Sequence, residues 1–152
     1  MRGDRPVELG GRVGIVFSNP ASQVSGICAT VFEEVALGPI NLGLPVAETV
    51  ARTRESLAAL GIEALAERHP VRLSGGQSQL VAIASMLAMR PRVLVLDEPV
   101  AELDPDGRRF VRTALRSIAA TGTSILIAEH DRELLADLGA RVVRLRDGRL
   151  VA

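Results

Sequence analysis

The sequence predicts an α/β fold with a mostly parallel sheet and an inserted helical subdomain. In the second half of the chain, short aliphatic runs alternate with segments of helical pattern, which is typical of parallel β-α-β units. Residues 20–88 are mainly helical in pattern and interrupt the sheet-forming segments. The 152 residues are enough for one domain with a substantial core.

The N-terminal part of the chain is predicted to form one strand and three helices. Val13–Phe17 is a short apolar run with β-branched residues and indicates a strand. We expect Gly38-Pro39 to end the first helix and Gly61 to end the second, because both residue types interrupt helices. The three predicted helices are Thr30–Leu37, Val46–Leu60 and Gly76–Met89.

The C-terminal part is predicted to alternate between strands and helices. Val93–Leu96 consists of four consecutive aliphatic residues, which indicates a strand buried on both faces. Ser124–Ala128 is a second buried-strand candidate, and Asp147-Gly148 is a hairpin turn signal. The remaining predicted elements are the helices Pro105–Ala119 and Asp131–Leu138 and the strands Arg141–Leu145 and Arg149–Val151.

The composition excludes several classes of function. With 18 Lys+Arg and 18 Asp+Glu residues the net charge is zero, so a nucleic-acid partner is not expected. All of the Lys+Arg residues are arginine, so the phosphate-binding loop G-x-x-x-x-G-K-[ST] cannot occur in this sequence. One cysteine, no long apolar stretch and no signal-peptide pattern together predict a cytoplasmic location.

Two carboxylates follow the Val93–Leu96 run. Open α/β sheets bind ligands at the carboxyl ends of their strands, and Asp97 and Glu98 would emerge at that edge. Asp97 is suited to hold Mg²⁺ bound to phosphates, and Glu98 is suited to polarise an attacking water. The alternative is that two charged residues simply end a strand.

The second candidate site is Ser74-Gly75-Gly76-Gln77. Ser74 and Gln77 have the spacing of a helix capping box, which is a sufficient structural explanation. The same geometry leaves backbone N–H groups at Gly75 and Gly76 open to a phosphate at a helix N-terminus. Because this segment lies 20 residues before the Asp97-Glu98 pair, we favour the phosphate-binding interpretation.

Two further polar residues lie where a ligand site is expected. Asp104 precedes Pro105 and is predicted to cap a helix, which does not exclude a second role at a subunit interface. His130 follows the Ser124–Ala128 run and is expected at the same sheet edge as Asp97, where it can contact a terminal phosphate. The alternatives for His130 are a helix cap or a solvated side chain.

Taken together, these residues resemble the ATP-binding subunits of ABC transporters. Leu73 to Gln77 matches the signature motif, Leu94 to Glu98 the Walker B strand, and His130 the H-loop histidine. Residues 101–104 look like the D-loop and residues 13–20 like the segment around the Q-loop. Residues 30–39 and 41–45 are similar to the energy-coupling-factor and cobalt-importer branch, and the resemblance covers residues 12–152.

The resemblance implies a partial P-loop NTPase fold. Residues 1–152 would be one truncated ATPase domain, with residues 12–19 and 89–152 as its RecA-like core and about 20–88 as its helical signature subdomain. In this family two domains enclose ATP and Mg²⁺ head to tail. The signature residues and Asp104 would contact ATP held mainly by a second ATPase subunit, while Asp97, Glu98 and His130 would serve this chain's own site.

The same resemblance implies a role in transport. The chain would be the ATP-binding and ATP-hydrolysing subunit of an importer for a small solute or metal ion. It would be bound to the cytoplasmic face of the membrane through an integral membrane subunit. Closure of the two ATPase domains would move helices of that subunit through the Q-loop region.

Three departures from the family pattern leave alternatives open. The Walker A loop is missing, Ser18 occupies the Q-loop glutamine position, and Leu80 stands where an arginine often follows the signature. One hypothesis is an ATPase whose Walker A half is encoded upstream. A second is a non-catalytic domain that donates its signature motif in trans, and a third is a truncated gene remnant.

Overall fold

A computed structural model describes residues 11–19 and 23–151 of the chain. Strands and α-helices follow one another in the order expected for an α/β fold, with two short 3₁₀ turns at Glu63–Leu65 and Pro70–Arg72. The described strands are β1 (Val13–Val16), β2 (Val93–Asp97), β3 (Ser124–Ala128), β4 (Arg144–Arg146) and β5 (Arg149–Val151). The described helices are α1 (Val31–Asn41), α2 (Val46–Ala59), α3 (Gly75–Ala88), α4 (Pro105–Ala120) and α5 (Arg132–Asp137).

Among the described residues, the main sheet has three parallel strands in the order β1-β2-β3. Val16 pairs with Leu96, which pairs with Ile127 on the other side, and Asp97 pairs with Ala128. All three strands therefore end at one edge, and the predicted parallel α/β fold is confirmed. The division into a core and a helical subdomain remains a prediction, although α1, α2 and α3 do lie between β1 and β2.

Only one face of this sheet is covered by the described helices. Leu94, Leu96 and Val16 on that face are fully buried in the core. On the opposite face of β2, Val93 and Val95 are only half-buried, so the prediction that β2 is buried on both faces was wrong. On the flanking strands of that face, Ile15 is 41% exposed and Leu126 is 64% exposed. The β1→β2 and β2→β3 connections step in the same direction across the sheet. Because such connections are right-handed, both place their helices on the same face.

The covered face forms one core with the helical layer. Fully buried side chains from four helices join the sheet residues: Val35, Leu57, Ile83, Val111 and Leu115. Helix α3 is buried along most of its length, from Gln79 to Ala84 and again at Leu87 and Ala88. Each buried aliphatic side chain contributes roughly 1.5–3 kcal/mol to folding. This layer therefore fixes the direction in which the N-terminus of α3 points.

Helix α1 does not end where the sequence suggested. It continues through Gly38 and the buried Pro39 to Asn41. A Cβ on Gly38 would lie 2.6 Å from the Cγ of Met89, so glycine here permits close packing rather than ending the helix. The actual end is set by Gly43, whose φ is +73°. Glycine adopts this left-handed conformation more easily than any residue with a side chain.

The C-terminal hairpin is separate from the main sheet. β4 and β5 pair antiparallel, and the turn residues Asp147 and Gly148 have φ values of +50° and +73°. Such values fit the hairpin turn that the Asp-Gly pair predicts. The strand begins at Arg144 rather than at Arg141. Within residues 11–19 and 23–151, no helix is long and apolar enough to cross a bilayer.

Candidate functional site at the carboxyl edge of the sheet

Asp97 and Glu98 lie at the carboxyl edge of the sheet, as predicted. Asp97 is the last residue of β2, and its backbone pairs with Ala128. The N–H of Glu98 donates to the carbonyl of Ala128 at 2.9 Å, which extends the ladder by one residue. Glu98 has a φ of +46°, a left-handed conformation that is rare for a residue other than glycine. Such strain persists mainly where the surrounding structure enforces it, often at functional sites.

His130 lies beside Glu98. Its Nδ1 is 3.8 Å from Oε1 of Glu98, and the two side chains are 79% and 49% exposed. The same nitrogen is 3.2 Å from Oε1 of Glu129. The structure therefore brings together a base candidate and an imidazole from two neighbouring strands, and both remain accessible to a ligand.

Ser74 and Gln77 form the predicted capping box at the start of α3. The N–H of Gln77 donates to Oγ of Ser74 at 3.3 Å, and the N–H of Ser74 donates to Oε1 of Gln77 at 3.2 Å. Both side chains thus accept hydrogen bonds from backbone N–H groups at the helix N-terminus. The capping interpretation is confirmed, and a contact of this segment with phosphate remains a prediction.

Gly75 and Gly76 lie against the loop that follows β2. A Cβ on Gly76 would approach the backbone carbonyl of Glu102 to 2.9 Å, and one on Gly75 would approach Oε2 of Glu102 to 2.7 Å. The loop at residues 98–104 therefore begins at the carboxylate edge of the sheet and packs against the start of α3. Sequence reasoning gave no individual role to Glu102, although its carboxylate sits at the helix end that is proposed to meet a phosphate.

Asp104 caps helix α4. Its Oδ1 accepts a hydrogen bond from the N–H of Gly107 at 2.7 Å, and Pro105 occupies the first turn of the helix. Asp104 itself is exposed to solvent. Any interface role of Asp104 is a prediction that the capping geometry permits.

Asp131 organises the backbone after His130. Its Oδ1 accepts from the N–H groups of Glu133 and Leu134 at 2.9 and 3.1 Å. The hydrogen bond from Leu134 is the main cause that lowers the pKa of Asp131 below its ordinary value, and the neighbouring Arg108 adds to it. Asp131 therefore stays ionised and holds the start of α5 in place.

The donor chemistry of this edge fits a magnesium ion that is held mainly through phosphate. Asp97, the last residue of β2, offers hard carboxylate oxygens. Within the described part of the chain, no group of three or more His, Cys, Asp or Glu residues is placed to hold a metal ion alone. Mg²⁺ is usually bound by one or two carboxylates together with substrate phosphates.

Together, the parallel sheet, the carboxylates at its edge and the capped helix α3 define an α/β domain. The chain belongs to the ABC transporter family: the model of the family described as ABC transporter matches residues 2–101. Among solved structures, the chain is similar to cbiO1 from Clostridium perfringens, with a TM-score of 0.80 and 36% identity over 95% of this chain and 57% of that one. A dimeric bacterial ABC transporter cassette matches with a TM-score of 0.82 and 28% identity, over 97% of this chain and 66% of that one.

Curated relatives point to one branch of the family. The chain is 48% identical to the cobalt import ATP-binding protein CbiO of Rhodobacter capsulatus over 93% of its own length and 50% of the relative's. It is 43% identical to the energy-coupling factor transporter ATP-binding protein EcfA of Methanocaldococcus jannaschii over 95% of its length and 51% of the relative's. The chain thus spans about half the length of the curated relatives it matches.

Proposed function

We propose that this chain is the signature-bearing part of an ATP-binding subunit in an energy-coupling-factor-type importer. The single observation that carries the proposal is the loop at residues 98–104. It joins the Glu98–His130 pair at one end and packs against Gly76 at the other. One short segment therefore links the proposed catalytic residues at the sheet edge to a helix N-terminus suited to bind phosphate. The names of the similar proteins support the same function.

The roles within the chain's own site follow from its chemistry. Asp97 would hold Mg²⁺, whose charge offsets that of the phosphates when it is bound. Glu98 would accept a proton from the attacking water, and its strained backbone fixes where that carboxylate leaves the strand. His130 would contact the terminal phosphate from the neighbouring strand.

The roles toward a second ATPase subunit involve the other end of the loop. Ser74, Gly75, Gly76 and Gln77 would face ATP held by that subunit, with the positive end of the α3 dipole directed at its terminal phosphate. Asp104 would meet the same partner through its exposed carboxylate. Because capping already holds Ser74 and Gln77 in position, little ordering is needed when the partner arrives.

A membrane subunit is the other partner that we propose. The cbiO1 structure is described as part of the transporter complex cbiONQ, so that protein works with further subunits. In the present chain, large aliphatic side chains are exposed around α1 and the start of α2: Ile27, Ile40, Leu42 and Val46. This surface would pack against an integral membrane subunit at the cytoplasmic face of the membrane. The transported solute would be a small molecule or a metal ion.

Donation of the signature motif in trans is a second candidate function. The observation that favours it is the absence of lysine from all 152 residues, which excludes a lysine-type phosphate loop within this sequence. Such a chain would complete a partner's ATP site and would bind little ATP alone.

One complementation experiment tests both functions. The purified chain is added to a full-length relative whose own signature serine has been changed to arginine, and phosphate release is measured. We expect hydrolysis to recover at least tenfold, and Ser74→Arg in the chain to abolish that recovery. Glu98→Gln is the matched control: Glu98 belongs to the chain's own site and not to the partner's site that the signature motif completes, so the recovered rate should stay unchanged. No recovery with any variant would overturn the proposal.

A further inference from the structure

Glu129 is a buried carboxylate with no role assigned so far. Its side chain is only 1% exposed although it lies between the strand end and the exposed His130. Its Oε1 accepts hydrogen bonds from the N–H groups of His130 at 2.8 Å and Asp131 at 3.1 Å. Its Oε2 is buried without a hydrogen-bond partner among the described residues. A buried carboxylate oxygen without a hydrogen-bond partner is costly, and holding the loop uses only the other oxygen of Glu129.

The imidazole of His130 faces this carboxylate. Its Nδ1 is 3.2 Å from Oε1 of Glu129 and 3.8 Å from Oε1 of Glu98. Ionised carboxylates only accept hydrogen bonds, so a bare lone pair on Nδ1 would be repelled by both of them. The short Nδ1–Oε1 distance therefore favours a hydrogen on Nδ1 of the neutral ring, which leaves Nε2 as the free nitrogen.

His69 has the opposite arrangement in the same chain. Its Nδ1 accepts a hydrogen bond from the N–H of Val71 at 3.3 Å. That nitrogen must be free of hydrogen, so the neutral ring of His69 carries its hydrogen on Nε2. Since the chain has two histidines, His69 is an internal reference for His130.

We propose that Glu129 is a positioning residue that holds the ring of His130 as the Nδ1–H tautomer. The near contact with Nδ1 sets the tautomer, and the two backbone hydrogen bonds keep the His130 backbone in register with the buried carboxylate. The consequence for chemistry rests on the proposed function. In an ATP site, the free Nε2 accepts a hydrogen bond from water while the ring is neutral. Once the ring is protonated, Nε2 donates a hydrogen bond to a phosphate oxygen.

A purely structural role for Glu129 makes a different prediction. In that case Glu129 would serve only as an acceptor for the two backbone N–H groups, and an amide oxygen would replace it without changing the ring. Glu129→Gln keeps such an oxygen and removes the charge. The variant therefore separates backbone capping from control of the tautomer.

The test uses nuclear magnetic resonance on the full chain with ¹⁵N-labelled histidine. Long-range ¹H–¹⁵N spectra at about pH 8.5, above the ordinary pKa range of histidine, report which ring nitrogen carries the hydrogen. His69→Gln assigns the two rings. We expect opposite tautomers in the parent chain. In Glu129→Gln we expect His130 to change to mainly Nε2–H while His69 stays unchanged.

Glu98→Gln is the matched control, because the carboxylate of Glu98 lies beyond hydrogen-bond distance of Nδ1. It should leave His130 mainly as the Nδ1–H tautomer. The proposal is overturned if His130 carries its hydrogen on Nε2 in the parent chain, or if Glu129→Gln leaves His130 mainly as the Nδ1–H tautomer. The parent spectrum decides the first point even if a variant fails to fold. No nucleotide is present, so failure of the ATPase proposal would leave this result standing.

Discussion

The start of α3 and the carboxyl edge of the sheet are organised in different ways. At the start of α3, Ser74 and Gln77 hold each other through two hydrogen bonds, and the helix behind them is buried. At the sheet edge, Glu98 and His130 are close to each other but remain largely exposed. The helix start is therefore fixed by its own local sequence, while the sheet edge fixes backbone positions and leaves side chains free for a ligand.

The difference arises from the range of the interactions. A capping box involves residues three positions apart, so it forms as soon as the helix does. The edge depends on the pairing of Asp97 with Ala128, which are distant in sequence and meet only when the sheet is complete. Variants that damage the sheet should therefore affect the edge strongly, and variants of the cap should act locally.

The largest effect is expected from Leu96→Ala. Leu96 is fully buried beside Asp97, and its truncation should lower the free energy of unfolding by about 2–5 kcal/mol. Leu126→Ala is the matched control on the open face, where the side chain is 64% exposed, and it should cost less than about 1 kcal/mol. Urea unfolding followed by circular dichroism measures both. Equal losses would contradict the assignment of a covered and an open face.

A smaller effect is expected from Gly76→Ala. The added Cβ would meet the backbone carbonyl of Glu102 at 2.9 Å, and we expect a loss of about 1–3 kcal/mol of stability from overpacking. Gly75→Ala meets only the flexible Glu102 side chain, which can move away, so that variant should be close to neutral. Chemical denaturation of the two variants compares them directly. A neutral Gly76→Ala would show that the loop and the helix are not in firm contact.

The next smaller effect on stability is expected from loss of the Ser74 cap of α3. Ser74→Ala removes the acceptor for the N–H of Gln77 and should cost about 1 kcal/mol, while Ser74→Asp should retain most of the stability. Hydrogen exchange of the first-turn amides of α3 is the measurement, because it reports local opening. If exchange at the end of β2 accelerated by the same factor, the effect of the cap would not be local.

The smallest effect concerns pH. The hydrogen bond from Leu134 lowers the pKa of Asp131, so this group stabilises the fold fully above the ordinary pKa of aspartate, about 3.9. The contribution is lost as the pH falls through the lower pKa of the folded state. Asp131→Ala should therefore cost about 1 kcal/mol at pH 7 and less at strongly acidic pH. Melting curves across this range would show the two proteins converging, and a constant gap would contradict the assignment.

Local patterns were predicted well from sequence because their causes are local. The Ser74–Gln77 box, the Asp104 cap and the Asp147-Gly148 turn each depend on a few adjacent residues, and the structure contains all three. The end of α1 was predicted wrongly, since the role of Gly38 depends on the packing of Met89. The roles of the site residues toward ATP remain predictions.

Two features could be recognised only in the folded structure. The open face of the sheet follows from the direction of two successive connections, which no single segment reveals. Glu129 was overlooked because a glutamate after an apolar run looks like an ordinary strand end. Its position directly before His130, and two residues before the cap at Asp131, was the available signal.

The open face of the sheet has a consequence for handling this protein. Ile15 on β1 and Leu126 on β3 lie on either side of Val95 and are both exposed to solvent, whereas parallel sheets are ordinarily covered on both sides. Any polypeptide that packs there binds the folded state and not the unfolded one, and so raises the melting temperature by mass action. The midpoint of thermal unfolding is therefore expected to depend on which other proteins are present in the sample. A value measured on the isolated chain describes only that condition.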